Sequence, residues 1–122
     1  MDKYTQIYLE KAGENYELYC TLKKLKKFKA WQLTAIFYSA LCIAKAYLYN
    51  KGFKENSINS HDSIKNLLAM EADAKRNNVL FYYEKLYFDS RDARYSIKKI
   101  SQGRIDEALK NYEKIKMLLK VS

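Results

Sequence analysis

The stretch AWQLTAIFYSALCIAKAYLYN, residues 30–50, is apolar almost all the way round a helical wheel. A helix with one apolar stripe lies on a surface, whereas one that is apolar on every side is enclosed. Its length reaches the ~20 residues that can span a bilayer. Gln32, Thr34, Ser39 and Lys45 interrupt the run, and no second span flanks it. We therefore read it as the central, most buried helix of a bundle, with no membrane partner. Gly52 suits the C′ position that stops such a helix, with Phe53 supplying the accompanying apolar contact.

Upstream, residues 3–27 read as a first helix, with Tyr4, Tyr8, Ala12, Tyr16 (or Asn15), Tyr19 and Leu22 at helical spacing. Gly13 in its interior costs about 1 kcal/mol against alanine, which close packing there would explain. Downstream, the polar segment KENSIN precedes a third helix beginning near Asn59 or Ser60, both good N-caps. Its face is Ile64, Leu67, Leu68 and Ala74 or Lys75, and KRNN (75–78) ends it. A fourth helix starts near Val79 and carries Leu80, Tyr83, Leu86 and Tyr87. Residues 88–104 fit either a continued helix or a helix–loop–short helix. The last helix, 105–120, has the cleanest stripe: Ile105, Ala108, Leu109, Tyr112, Ile115, Leu119. Asp106 and Glu107 would lie in its first turn and Lys116 and Lys120 in its last, complementing the helix dipole.

The chain of 122 residues suits a single domain, 1–122. It has no proline and three glycines, so breakers are sparse. The expected fold is all-α, an up-and-down bundle of about five helices. So apolar a central helix in so small a bundle leaves apolar surface to cover, and a homodimer is expected. The N-terminus lacks a basic-then-apolar leader pattern, which suggests a cytoplasmic protein. Cys20 and Cys42 form no CxxC pair and read as buried free thiols. With one histidine in the chain, no metal or cofactor is expected.

FYSALCIAKAYLYNKGF followed by NSHDSIKNLL resembles the HEPN domain family, with Tyr38, Ala40, Gly52, Ser60 and His61 at the matching positions. SRDARY resembles the arginine-and-tyrosine loop that comes after the family's fourth helix, and DEALKNYEKIKMLL resembles its last helix. The resemblance spans most of residues 30–120. It implies an all-α, usually dimeric bundle. Many members are metal-independent RNases of toxin–antitoxin, phage-defence and CRISPR systems; others are non-catalytic and bind RNA, nucleotides or a partner protein. The RNases carry Arg-x(4–6)-His, in which histidine handles a proton and arginine steadies the phosphate. Here the lone histidine is His61 and no arginine precedes residue 76, so that motif is absent and no catalytic residue is expected from it. The loop also departs from the commoner pattern, in which an aspartate directly precedes the tyrosine; Arg94 takes that place.

YFDSRDARYS, residues 87–96, has two readings. One is a helix-terminal turn, with Asp89 or Ser90 capping the next segment and Arg91 or Arg94 paired to Asp92, Glu84 or Asp89; such exposed pairs contribute little. The other is a phosphate site, for which the planar guanidinium is suited. A composite anion or atypical catalytic site of His61, Arg91, Arg94 and Tyr95 requires the third and fourth helices to meet. His61, beside Asp62 in a first turn, otherwise reads as a capping or surface residue.

The second candidate is KKLKKFK, with Lys23, Lys24, Lys26, Lys27 and Lys29 opposite Leu22, Leu25 and Phe28. No acid occurs in residues 18–30. The formal net charge of +9 favours anionic partners, although 19 lysines against 4 arginines also suits an AT-rich genome. Three functions remain: a non-catalytic module binding RNA, another polyanion or a nucleotide through these lysines with Arg91 and Arg94; an antitoxin-like or inhibitory subunit docking on an acidic partner or a larger nucleic-acid enzyme; or an atypical metal-independent RNase using His61 with Arg91 and Arg94.

Overall fold

A computed structural model describes residues 2–71, 73–74, 77–97 and 99–121. Among them are five α-helices, α1 (Lys3–Leu25), α2 (Lys29–Asn50), α3 (His61–Met70), α4 (Val79–Tyr95) and α5 (Gln102–Leu118), one 3₁₀ turn at Glu55–Ser57, and no strand. The fold is the expected all-α up-and-down bundle. α2 is its axis, touching α1, α3, α4 and α5. Leu33, Ile36, Ala40, Ala44 and Leu48 of α2 are wholly buried. Among the described residues no helix is long and apolar enough to cross a membrane.

α2 is also where three helices are tied by polar atoms. The buried Ser39 hydroxyl donates to the Ala12 carbonyl of α1 at 2.7 Å. A carbonyl can only accept, so the Tyr112 hydroxyl of α5, 2.9 Å away, must donate to Ser39 Oγ. Burial raises the Tyr112 pKa and keeps that proton in place. A satisfied polar chain of this kind fixes register between helices that apolar packing alone would let slide. At the far end of α2, Tyr49 stacks on Tyr4 and Tyr8.

Gly52, at φ 98°, ends α2 as expected. Its N–H bonds the Tyr49 carbonyl, and the Phe53 N–H bonds the Leu48 carbonyl, the two bonds of a Schellman cap. Ser60 caps α3, accepting from the Ser63 N–H. Across the α3–α4 connection, Glu71 accepts from the Tyr47 hydroxyl and the Ala74 N–H at 2.7 and 2.8 Å. Burial pushes its carboxyl up, but those two donors pull it down further, to a net value below the ordinary one.

Several sequence expectations change. α3 ends at Met70, so buried Ala74 lies beyond it; Lys75 and Arg76 lie outside the described residues. α4 runs to Tyr95 and SRDARY is its last turns, not a loop. Ser90 is buried inside the helix and caps nothing. α5 starts three residues early, capped by Ser101, so Asp106 and Glu107 fall outside the first turn. Gly13 has no neighbouring atom within 4 Å of where a Cβ would stand, so internal close packing does not explain it. Cys20 and Cys42 are free, but only Cys42 is fully buried.

Candidate functional site

Because YFDSRDARYS is helical, its charges sort onto different faces. Asp89 and Asp92 face α5, where Arg104 holds both: Nε to Asp89 at 3.0 Å and a terminal nitrogen to Asp92 at 2.6 Å. Half-burial still pushes the Asp89 carboxyl up, against the pull of Arg104. Glu84 is taken by Lys65 of α3 at 2.8 Å. All three acids proposed as partners for Arg91 and Arg94 are thus bound elsewhere.

Arg91 lies four residues from both Tyr87 and Tyr95, and Arg94 seven residues beyond Tyr87, on the same face of α4. Arg91 donates to the Tyr87 hydroxyl at 3.3 Å, and Arg94 to the Tyr38 hydroxyl of α2 at 2.7 Å. Tyr95, 75% exposed, has both guanidinium carbons within 6 Å of its ring centre. Among the described residues, neither arginine has a carboxylate partner.

α3 brings His61 to the same place. A pocket of about 270 Å³ opens between α2, α3 and α4, lined by Tyr38, Leu41, Lys45, Ser60, His61, Tyr87 and Arg94 among others, with no acid in its wall. The His61 ring centre is 3.5 Å from that of Tyr87 in an edge-on contact. Its Nδ1 lies 3.1 Å from the hydroxyl of wholly buried Tyr83. Burial raises the Tyr83 pKa, so that hydroxyl keeps its proton. Nδ1 is its sole hydrogen-bond partner among the described residues, and it donates there. Burial, helped by Lys65 and Arg91, also lowers the His61 pKa against the opposing pull of Asp62 and Glu84. With the Tyr83 hydroxyl donating to Nδ1, neutral His61 carries its proton on Nε2. That tautomer donates a hydrogen bond; it is not set up to accept a proton as a general base. Its ring is half-buried and stacked on Tyr83, not a surface cap.

The lysines form a second feature. α1 ends at Leu25, residues 26–28 make a tight turn, and α2 begins at Lys29, so KKLKKFK is a hairpin tip and not one amphipathic helix. All five lysines are exposed; so are Leu25 at 54% and Phe28 at 55%, which the helical reading put on a packed side. The turn is held by buried Gln32, whose Nε2 donates to the Lys27 carbonyl at 2.9 Å. α4 runs antiparallel to α2, so Tyr95 lies toward the end of the bundle that carries this tip.

Trp31, Lys45 and the partner role of Tyr38 were not singled out from sequence. A signal existed: no Asp or Glu occurs between Glu17 and Glu55, so α2 carries no negative charge. Among the described residues no cluster of three or more His, Cys, Asp or Glu is arranged to hold a metal. Comparison of the chain with protein-family models, with curated proteins and with solved structures gives no match.

Proposed function

We propose that this chain is a non-catalytic, HEPN-like module that binds RNA or a nucleotide, with the α2–α3–α4 pocket receiving a phosphate. One observation carries the reading: Arg91 and Arg94 engage only tyrosines, beside a pocket wall without an acid. An exposed guanidinium whose nearby acids are already used keeps its full attraction for a phosphate, and its planar fork suits two phosphate oxygens. The His61 Nε2–H, as a neutral donor, suits holding a phosphate oxygen. The five lysines at the hairpin tip extend the positive field. A toxin–antitoxin, phage-defence or CRISPR-related setting comes from the HEPN resemblance alone.

The test is RNA binding by fluorescence anisotropy across a range of salt concentrations. We expect affinity to fall steeply with salt, and Arg91→Ala with Arg94→Ala to flatten that dependence. Salt-independent binding, or none at low salt, would refute the reading. A specific observation favours a second reading: His61 and Arg94 line one pocket, as an atypical RNase would need. Metal-free cleavage abolished by His61→Ala would establish it; the Nε2–H tautomer argues against it. The exposed Phe81 and Phe88, seven residues apart on α4, support a homodimer that covers them. Light scattering at micromolar concentration tests this, a mass near 14.5 kDa being the contrary result.

A further inference from the structure

From Gln32 to Tyr49, α2 is buried except at Tyr38, Leu41 and Lys45, and Trp31 just before is exposed. The intervals of seven, three and four residues put these side chains on one stripe, about 21 Å long at 1.5 Å per residue. This seam begins beside the lysine-rich tip and ends at the pocket that holds His61. Tyr38 packs on Phe37 and under Arg94, and Lys45 lies over the Tyr8 ring, but nothing among the described residues stacks on Trp31, which leads this face with its ring open.

The tip adds an independent oddity. Phe28 adopts the left-handed region at φ 59°. That region disfavours any side chain with a Cβ and suits glycine or asparagine. Phe28 is over half exposed, and neither it nor Trp31, 62% exposed, stacks on another ring or cation among the described residues. The strain is therefore not offset by burial of the ring. Residues held in sparsely populated backbone regions cluster at active and ligand-binding sites.

We propose that Phe28, Trp31 and Tyr38 are base-stacking platforms for a single-stranded nucleic acid, which runs from the lysine tip along the α2 seam toward the Arg94–His61 pocket. This rests on the nucleic-acid reading above and adds to it the strandedness of the ligand and the residues that sense it. Rings stack only on bases whose faces are free, as in single strands; a duplex offers this surface phosphates alone. Lysines at the tip and Arg94 beside Tyr38, midway along the seam, track the backbone, and α2 carries no acid to repel it. An anionic membrane fits less well. Tyr38 lies about 10 Å along the helix from Trp31, on the side of the bundle, while interfacial insertion needs the apolar side chains gathered at one tip.

Trp31 is the sole tryptophan and so reports on its own environment. The experiment titrates the protein with a dye-labelled oligouridylate of about ten nucleotides, a length within the usual range of single-strand sites, reading dye anisotropy and tryptophan emission together. We expect binding with quenched Trp31 emission, and at least several-fold weaker binding without quenching for an RNA duplex of equal length. Phe28→Asn, which relieves the left-handed strain, should raise the melting temperature yet weaken oligouridylate binding by about tenfold. Oligouridylate binding with unchanged Trp31 emission overturns the stacking inference but leaves the RNA-binding function standing. Equal quenching by the duplex overturns the strand preference. No binding by any RNA defeats both. Brighter, blue-shifted emission on phosphatidylserine vesicles, with no quenching by the oligonucleotide, would make the tip a membrane face and overturn the inference. So would Phe28→Asn binding like the wild type.

Discussion

The two charged faces of α4 come from one stretch of ten residues and have opposite fates. On the α5 side, Asp89 and Asp92 share Arg104, which holds both carboxylates within the fold and neutralises one of their two charges. On the α2–α3 side, Arg91 and Arg94 meet tyrosine hydroxyls and rings and keep their charge. Sequence proximity suggested that the arginines and aspartates of DSRDAR pair with each other. Helical geometry forbids most of it, because residues one or two apart do not face each other. The difference separates charge that holds the bundle together from charge left over for a ligand.

The largest effect should come from breaking the paired side. Arg104→Ala leaves the half-buried Asp89 carboxylate without its cation and should cost about 2 kcal/mol, below the 3–5 of a fully buried pair because Arg104 is partly solvated. Urea denaturation measures it, and RNA affinity should change little by comparison. A loss under about 0.5 kcal/mol would mean the two faces do not differ as described.

Breaking the other side should reverse the pattern. Arg91→Ala with Arg94→Ala should leave stability within about 0.5 kcal/mol. It should also lower the slope of log affinity against log salt by about 1.4, at 0.7 per single-strand phosphate contact. Unchanged slope with lowered stability would make both arginines structural.

Tyr38→Phe sharpens the comparison further. It removes the acceptor that orients Arg94, at 2.7 Å, while keeping the ring. We expect a few-fold loss of RNA affinity, on the order of the 0.5–1.5 kcal/mol of one hydrogen bond, with stability unchanged.

The smallest effect is a pH dependence. The folded-state pKa of His61 lies below its ordinary 6.5, so the unfolded chain takes up the proton first. The resulting stability is fully present above about pH 6.5 and is lost as pH falls through the folded value. Histidine NMR titration should give a midpoint below 6.5. Tyr83→Phe, which removes the donor to neutral Nδ1, should move that midpoint up; a midpoint above 6.5 in the wild type would contradict the tautomer.

Much of the fold was legible because its cause is local. The all-round apolar pattern of residues 30–50 says that they are enclosed, and Gly52 marks the stop because few other residues tolerate its backbone angle. The stripe of the last helix was readable for the same reason, although Ser101 moved its start. The helix boundary inside 88–104 was not readable, since the helix period continues through Arg91 and Arg94 without a breaker. The site was legible in its residue types only: His61, Arg91, Arg94, Tyr95 and the five lysines were named, but not what each would touch.

The sequence by itself determined an all-helical chain, the identity of its central helix, the absence of the Arg-x(4–6)-His pair and a strong excess of positive charge. These depend on composition and on periods of a few residues. Only the tertiary structure decided that Arg104, 15 residues beyond Asp89, takes the acids from Arg91 and Arg94. It alone brought Tyr38, His61 and Arg94 to one pocket, and left a single seam of α2 open. Those outcomes depend on which helix faces pack together, and a pairing across 56 residues, as between Tyr38 and Arg94, leaves no local pattern in the chain.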